Sequence, residues 1–197
     1  NLNFTSGTLH FDTSGGWWAH SAGEHGIGVI SSGDDNGTIY GISTFTFDTI
    51  NFGTDLVVTF SGSNACILKT QNHGNIVIGA SLDLSGGDAR EGLTTDNGLG
   101  GIGISGGFAG GDHDQHGYGQ GRGKAKAYSW GGGGAGYGAD GARGGSADMS
   151  FSSSYGDDTV NHLHGGSGGG GGDHEGGGAG GGALSFEADG NGTLTIN

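Results

Sequence analysis

Apolar and polar residues alternate in short runs through the first 84 residues and again through residues 183–197. A period of two puts successive side chains on opposite faces of an extended chain, so these runs predict strands. The predicted strands cover residues 2–4, 8–11, 26–30, 38–47, 49–52, 56–60, 66–70, 75–78 and 81–84, with two more within 183–197. Turns rich in Gly, Asn, Asp and Ser recur between them at about 8–12 residues, the spacing of an all-β sandwich, barrel or solenoid. Helical periodicity is nearly absent. Trp17 and Trp18, flanked by glycine, read as a loop packed over a sheet edge. The expected fold class is all-β, a β-sandwich or a β-solenoid-like stack.

Alternation stops between residues 98 and 182, where most of the 53 glycines lie. Glycine loses more backbone entropy on ordering than any other residue, so one reading of this stretch is a flexible linker. The residues between the glycines argue for order instead: Phe108, Tyr118, Tyr128, Trp130, Tyr137, Met149, Phe151, Tyr155 and Leu163 are of no use to a solvated linker. Strand-like sequence anchors the stretch at both ends. Long glycine runs can order as extended threefold helices of the polyglycine II type, packed side by side and joined through their backbones. The expected organisation is an N-terminal strand segment at 1–16, a β core at 17–97, a glycine-rich lobe inserted at 98–182, and closing strands at 183–197.

An internal repeat sharpens this reading. Residues 65–79, ACILKTQNHGNIVIG, align without a gap on residues 183–197, ALSFEADGNGTLTIN, with Leu68 on Phe186, Gly74 on Gly192, Ile76 on Leu194 and Ile78 on Ile196. The first copy continues into ASLDLSGG (80–87), and the second ends at Asn197. The continuation resembles TLHFDTSGG (8–16), with Leu9 on Leu82 and Phe11 on Leu84. An open strand edge is a template for another strand. If the N-terminal strand of a neighbour fills it, the contact is heterologous and does not close, so a filament grows. Leu2, Phe4, Leu9, Phe11, Leu194 and Ile196 are the expected polymer joint; the alternative is that the two ends pair within one chain.

Charge and chemistry narrow the classes. Six Lys and Arg against 20 Asp and Glu give a formal charge of −14, which disfavours nucleic acid and anionic membrane surfaces. No run approaches the length of a membrane span. The sequence starts at Asn1 with no signal peptide, as expected of a processed, secreted protein. Cys66 is the only cysteine; in its apolar setting it reads as a buried, inert thiol. With no GxSxG elbow, no phosphate loop and no distinguishable carboxylate pair, an enzyme is not expected.

Acidic groups on glycine turns, Asp34, Asp35, Asp112, Asp114, Asp157, Asp158 and Asp173, suit calcium, a hard cation taken by oxygen ligands from loops. The histidines among them, in GDHDQHG (111–117), HLH (162–164) and GDHE (172–175), offer a transition metal as a second option. The plainest reading, ahead of either metal, is solubilising polar residues at the turns between glycine helices. Asn3, Asn36 and Asn191 head Asn-x-Thr sequons and are candidate glycan acceptors.

The frame SLDLSGG, a GGxGGxGG insertion and GGALSFEADGNGTLTI resembles, over residues 55–197, glycine-rich modules of large bacterial surface and secreted proteins, some of them adhesin-like. The lobe is also similar to the polyglycine II tips of phage receptor-binding adhesins. The expectation is an extracellular structural subunit that forms a homopolymer by N-terminal strand addition. The alternative is a monomeric adhesin or carbohydrate-binding module whose lobe binds glycans through Tyr118, Trp130, Tyr137, Asp112 and Asp114. An ice-binding protein is a third class, disfavoured by the lack of a regular Thr array.

Overall fold

A computed structural model describes residues 1–35, 38–92, 98–125, 131–145, 152–156 and 162–197. Ten strands and no helix occur among them, so the fold is all-β. By its internal contacts the chain divides into two compact units, one of Asn1–Leu84 with Leu184–Asn197 and one of Ser85–Ala183.

The first unit holds every strand: β1 (Leu2–Asp12), β2 (Trp17–His20), β3 (His25–Ile27), β4 (Val29–Asp35), β5 (Thr38–Phe47), β6 (Ile50–Ser61), β7 (Ala65–Thr70), β8 (Ile76–Ile78), β9 (Leu184–Glu187) and β10 (Leu194–Ile196). They form two mixed sheets, ordered β10-β8-β6-β1-β2-β3 and β4-β5-β7-β9. From β5 onward successive strands alternate between the sheets, and within each sheet they pair in parallel. The internal repeat is the stacking register itself. Leu68 lies beside Phe186, Ile76 beside Leu194 and Ile78 beside Ile196.

Side chains reinforce this stacking. Asn75 Oδ1 accepts from the Thr193 N–H at 2.9 Å and from its hydroxyl at 3.0 Å, and His73 Nδ1 accepts from the Asn191 N–H at 3.2 Å. Alternate residues point inward. Leu2, Leu9, Phe11, Phe45, Phe52 and Leu68 are fully buried, each worth about 1.5–3 kcal/mol of transfer free energy.

Several expectations change. The predicted strands 49–52 and 56–60 are one continuous strand, β6. The Trp17–Trp18 segment is not a loop but strand β2, antiparallel to both β1 and β3. The predicted strands 2–4 and 8–11 are one strand with an irregularity between Phe4 and Ser6, beside Gly7 at a positive φ of 91°. Residues 26–30 break at Gly28, whose N–H donates to Gly16 O at 2.8 Å, and the chain passes from one sheet to the other. Residues 81–84 form no strand; Leu82 makes a single parallel bridge to Val58, and Leu82 and Leu84 pack on the core.

The second unit contains no strand among its described residues; its extended segments are joined by backbone hydrogen bonds. The bonds advance in steps of three. Phe108, Gly111 and Asp114 donate in turn to Gly166, Gly169 and Gly172 (3.0, 2.9 and 3.3 Å). Gly166, Gly169 and Gly172 donate in turn to Gly181, Gly178 and Glu175, each at 2.9 Å. The residues between serve other neighbours: Gly168 and Gly171 donate to Tyr118 and Gln115, and Gly170 to Gly133. Every third residue of a segment thus bonds to the same neighbour. Residues 85–92 join this unit because Gly87 and Arg90 donate to Ile102 and Leu99, both at 2.9 Å.

Candidate functional site

The first unit offers a strand edge at each end of its sheets. Among the described residues, strand β10 pairs only with β8, and β9 only with β7. Leu194 is 44% exposed and Ile196 69% exposed, so the last layer of the stack presents apolar side chains and an unused backbone edge. At the other end, β2 covers β1 only from Leu9 to Asp12, while β6 runs along β1 from Leu2 to Asp12. The Leu2–Phe4 part of β1 therefore has a ladder partner on one side. Exposed Ile27, Val29 and Ile30 follow on β3 and β4.

One column of side chains connects the two edges. Leu2, Ile50, Ile76 and Leu194 sit side by side in four successive parallel strands, and Phe4, Phe52, Ile78 and Ile196 form the next column but one. The hydrogen bonding repeats as well. Leu2 donates to Thr49 O (2.8 Å), Ile50 to Asn75 O (3.1 Å) and Ile76 to Thr193 O (2.8 Å). At each step a column residue donates to the carbonyl just ahead of the next column residue. By the alternation of a parallel ladder, the Leu194 N–H faces away from β8, as the fourth donor of the series.

Of the six residues expected at a polymer joint, Leu2, Phe4, Leu194 and Ile196 thus fall on these edge segments. Leu9 and Phe11 do not: they are flanked by His20 and Trp18 of β2 on one side and by Val58 and Phe60 of β6 on the other. Leu2 is fully buried, and the Phe4 ring stacks on His20 at 3.8 Å. What β1 offers there is backbone rather than apolar side chain.

The expected cation ligands scatter. Asp34 and Asp35 lie at the end of β4, and Asp157 and Asp158 fall outside the described residues. Asp112, Asp114 and Asp173 lie on two turns of the second unit, where Asp112 accepts from Gly100 N at 2.8 Å. Among the described residues one group could hold a metal ion, His113 with Asp173 and His174, whose ligand atoms lie within 4.8 Å of one another. Sequence reasoning singled out both stretches but had no means of pairing them across 61 residues.

Of the aromatic residues proposed for glycan binding, Tyr118 and Tyr137 are described and Trp130 is not. Tyr118 is 59% exposed, beside Gln115, His116 and Arg122 around a shallow depression. Tyr137 packs edge-on against Tyr155 at 5.1 Å, and burial pushes the Tyr155 phenol above its ordinary pKa. Tyr128, Trp130, Met149 and Phe151 lie outside the described residues. Asn3 and Asn191 are exposed, while Asn36 is not described. Cys66 is free and buried, and burial pushes its thiol up to about 12. No helix among the described residues is long and apolar enough to cross a membrane.

No family model matches this chain, and no curated protein or solved structure matches it.

Proposed function

We propose that this chain is a structural subunit of an extracellular fibril, in which the β10 edge of one copy adds to the free half of β1 in the next. The first unit then acts as a short β-solenoid, and the second as a polyglycine II-like lobe carried on it. The observation behind this reading is the unbroken column Leu2–Ile50–Ile76–Leu194 with its repeated hydrogen bond. A second copy placed one strand further on continues it. Leu194 N–H donates to the neighbour's Asn1 carbonyl, and Leu194 stacks in register beside the neighbour's Leu2. The ends differ from each other, so the contact is heterologous and propagates. The net charge of −14 keeps single copies soluble until edges meet.

Leu194→Pro tests the joint. Proline is tolerated at the first residue of a strand and on an outward-facing edge, so the bond from Ile76 to Thr193 O survives while the outward donor is lost. Sedimentation velocity of the variant is expected to show single copies with an unchanged melting temperature, under conditions where the unsubstituted chain forms large species. Equal assembly of both chains would rule out this joint.

A further inference from the structure

We propose that His113, Asp173 and His174 bind one divalent transition-metal ion of the zinc type, clamping together two turns of the glycine-rich unit. The sequence carries two Gly-Asp-His triplets, Gly111-Asp112-His113 and Gly172-Asp173-His174. The segments that bear them run side by side, and two hydrogen bonds bring the turns together, Asp114 N–H to Gly172 O at 3.3 Å and Gly171 N–H to Gln115 O at 2.9 Å, while Gly172 N–H to Glu175 O at 2.9 Å closes the second turn on itself. The imidazoles of His113 and His174 lie nearly parallel, 12° apart in plane and 5.5 Å between centroids. The Asp173 carboxylate is 3.5 Å from His174 Nε2.

Two imidazoles and a carboxylate form a mixed nitrogen and oxygen set with room for a fourth ligand, as zinc accepts. Calcium asks for six or more oxygens, so the same turns suit it poorly. Metal–ligand bonds of about 2.0–2.2 Å put tetrahedral ligands roughly 3.3 Å apart. The present separations of up to 4.8 Å therefore close by a shift of at most about 1.5 Å, which half-exposed His174 can supply.

Two further features point to a cation. Asp114 sets Oδ2 3.2 Å from His113 Nε2, and its Oδ1 is enclosed with no hydrogen-bond partner among the described residues. An enclosed carboxylate oxygen without a donor is costly, and positive charge beside it relieves that cost. His113 also has two contacts at Nδ1 that exclude each other: it accepts from the His174 N–H at 2.9 Å, or it donates to Gly172 O at 3.3 Å. In the second tautomer the Nε2 lone pair is available to a metal, and a backbone carbonyl fixes the ring, the usual outer-sphere partner of a ligating histidine.

Isothermal titration calorimetry of the intact chain with Zn²⁺, and in parallel with Ca²⁺, tests this. Zn²⁺ is expected to bind with one ion per chain and Ca²⁺ to give no saturable heat. Co²⁺ in place of Zn²⁺ should show the intense visible absorption of a site with fewer than six ligands. His174→Ala leaves the His113 contact to Gly172 O in place and should weaken Zn²⁺ more than about 100-fold, beyond the effect of losing an outer-sphere partner. Asp173→Asn, equal in size, should weaken it also, while His25→Ala in the other unit should change nothing. Absence of saturable Zn²⁺ binding, or binding indifferent to both Asp173→Asn and His174→Ala, would overturn the assignment.

Discussion

Adjacent glycines in the second unit should respond in opposite ways to the same methyl group. Gly177 is buried between three neighbouring segments: its N–H donates to Gly111 O at 2.7 Å, its carbonyl accepts from Gly101 N–H at 2.9 Å, and a Cβ would overlap the Gly169 carbonyl. Gly178 is exposed, and a Cβ there meets nothing within 4 Å. Gly177→Ala must push away the segment bearing Gly169, weakening the bonds from Gly111 to Gly169 and from Gly169 to Gly178. Two or three backbone bonds at about 0.5–1.5 kcal/mol each give a loss of roughly 2–3 kcal/mol, in the range of other overpacked interiors. The smaller conformational freedom of the unfolded variant returns about 0.4–1 kcal/mol. The net expectation is a loss of about 1–3 kcal/mol for Gly177→Ala and a small gain for Gly178→Ala. Thermal unfolding followed by hydrogen exchange across residues 162–183 measures both. Indistinguishable variants would refute an ordered, close-packed backbone and return the segment to a flexible linker.

Two other outcomes follow from the first unit. Leu68→Ala removes a fully buried side chain set between Phe45 and Phe186 and should cost about 2–5 kcal/mol in denaturant titration. Cys66, whose thiol burial raises from 9.0 to about 12, should resist thiol reagents in the folded chain. As pH rises past 9 the unfolded chain loses that proton while the folded chain keeps it, so stability should fall by about 1.4 kcal/mol per pH unit until pH reaches about 12. Cys66→Ala should lack this part of the alkaline slope.

Much of the first unit was legible because its side chains alternate. The gapless match of residues 65–79 to 183–197 became a parallel register, since equivalent strands of a stack share both inward-facing positions and turn residues. Alternation reports which way side chains point, not which backbones bond. Leu82 and Leu84 follow the pattern and pack on the core, yet only one bridge joins their segment to a sheet. Trp17 and Trp18 hid a strand because β2 is four residues long and neither tryptophan is fully buried, so its alternation is too short to stand out between glycines. In the second unit the period of three belongs to the backbone, and a run of glycines carries no side-chain mark of it. The closeness of His113 and His174 depends on that backbone register, so neither composition nor spacing discloses it.

Cryo-electron microscopy of the native material examines the fibril most directly. The expected result is filaments in which β10 lies parallel to β1 of the next copy. Four layers of strands at about 4.8 Å give an axial repeat near 19 Å in the β-stack. Isolated particles of single-chain size, or filaments joined through other surfaces with β10 left open, would contradict head-to-tail strand addition.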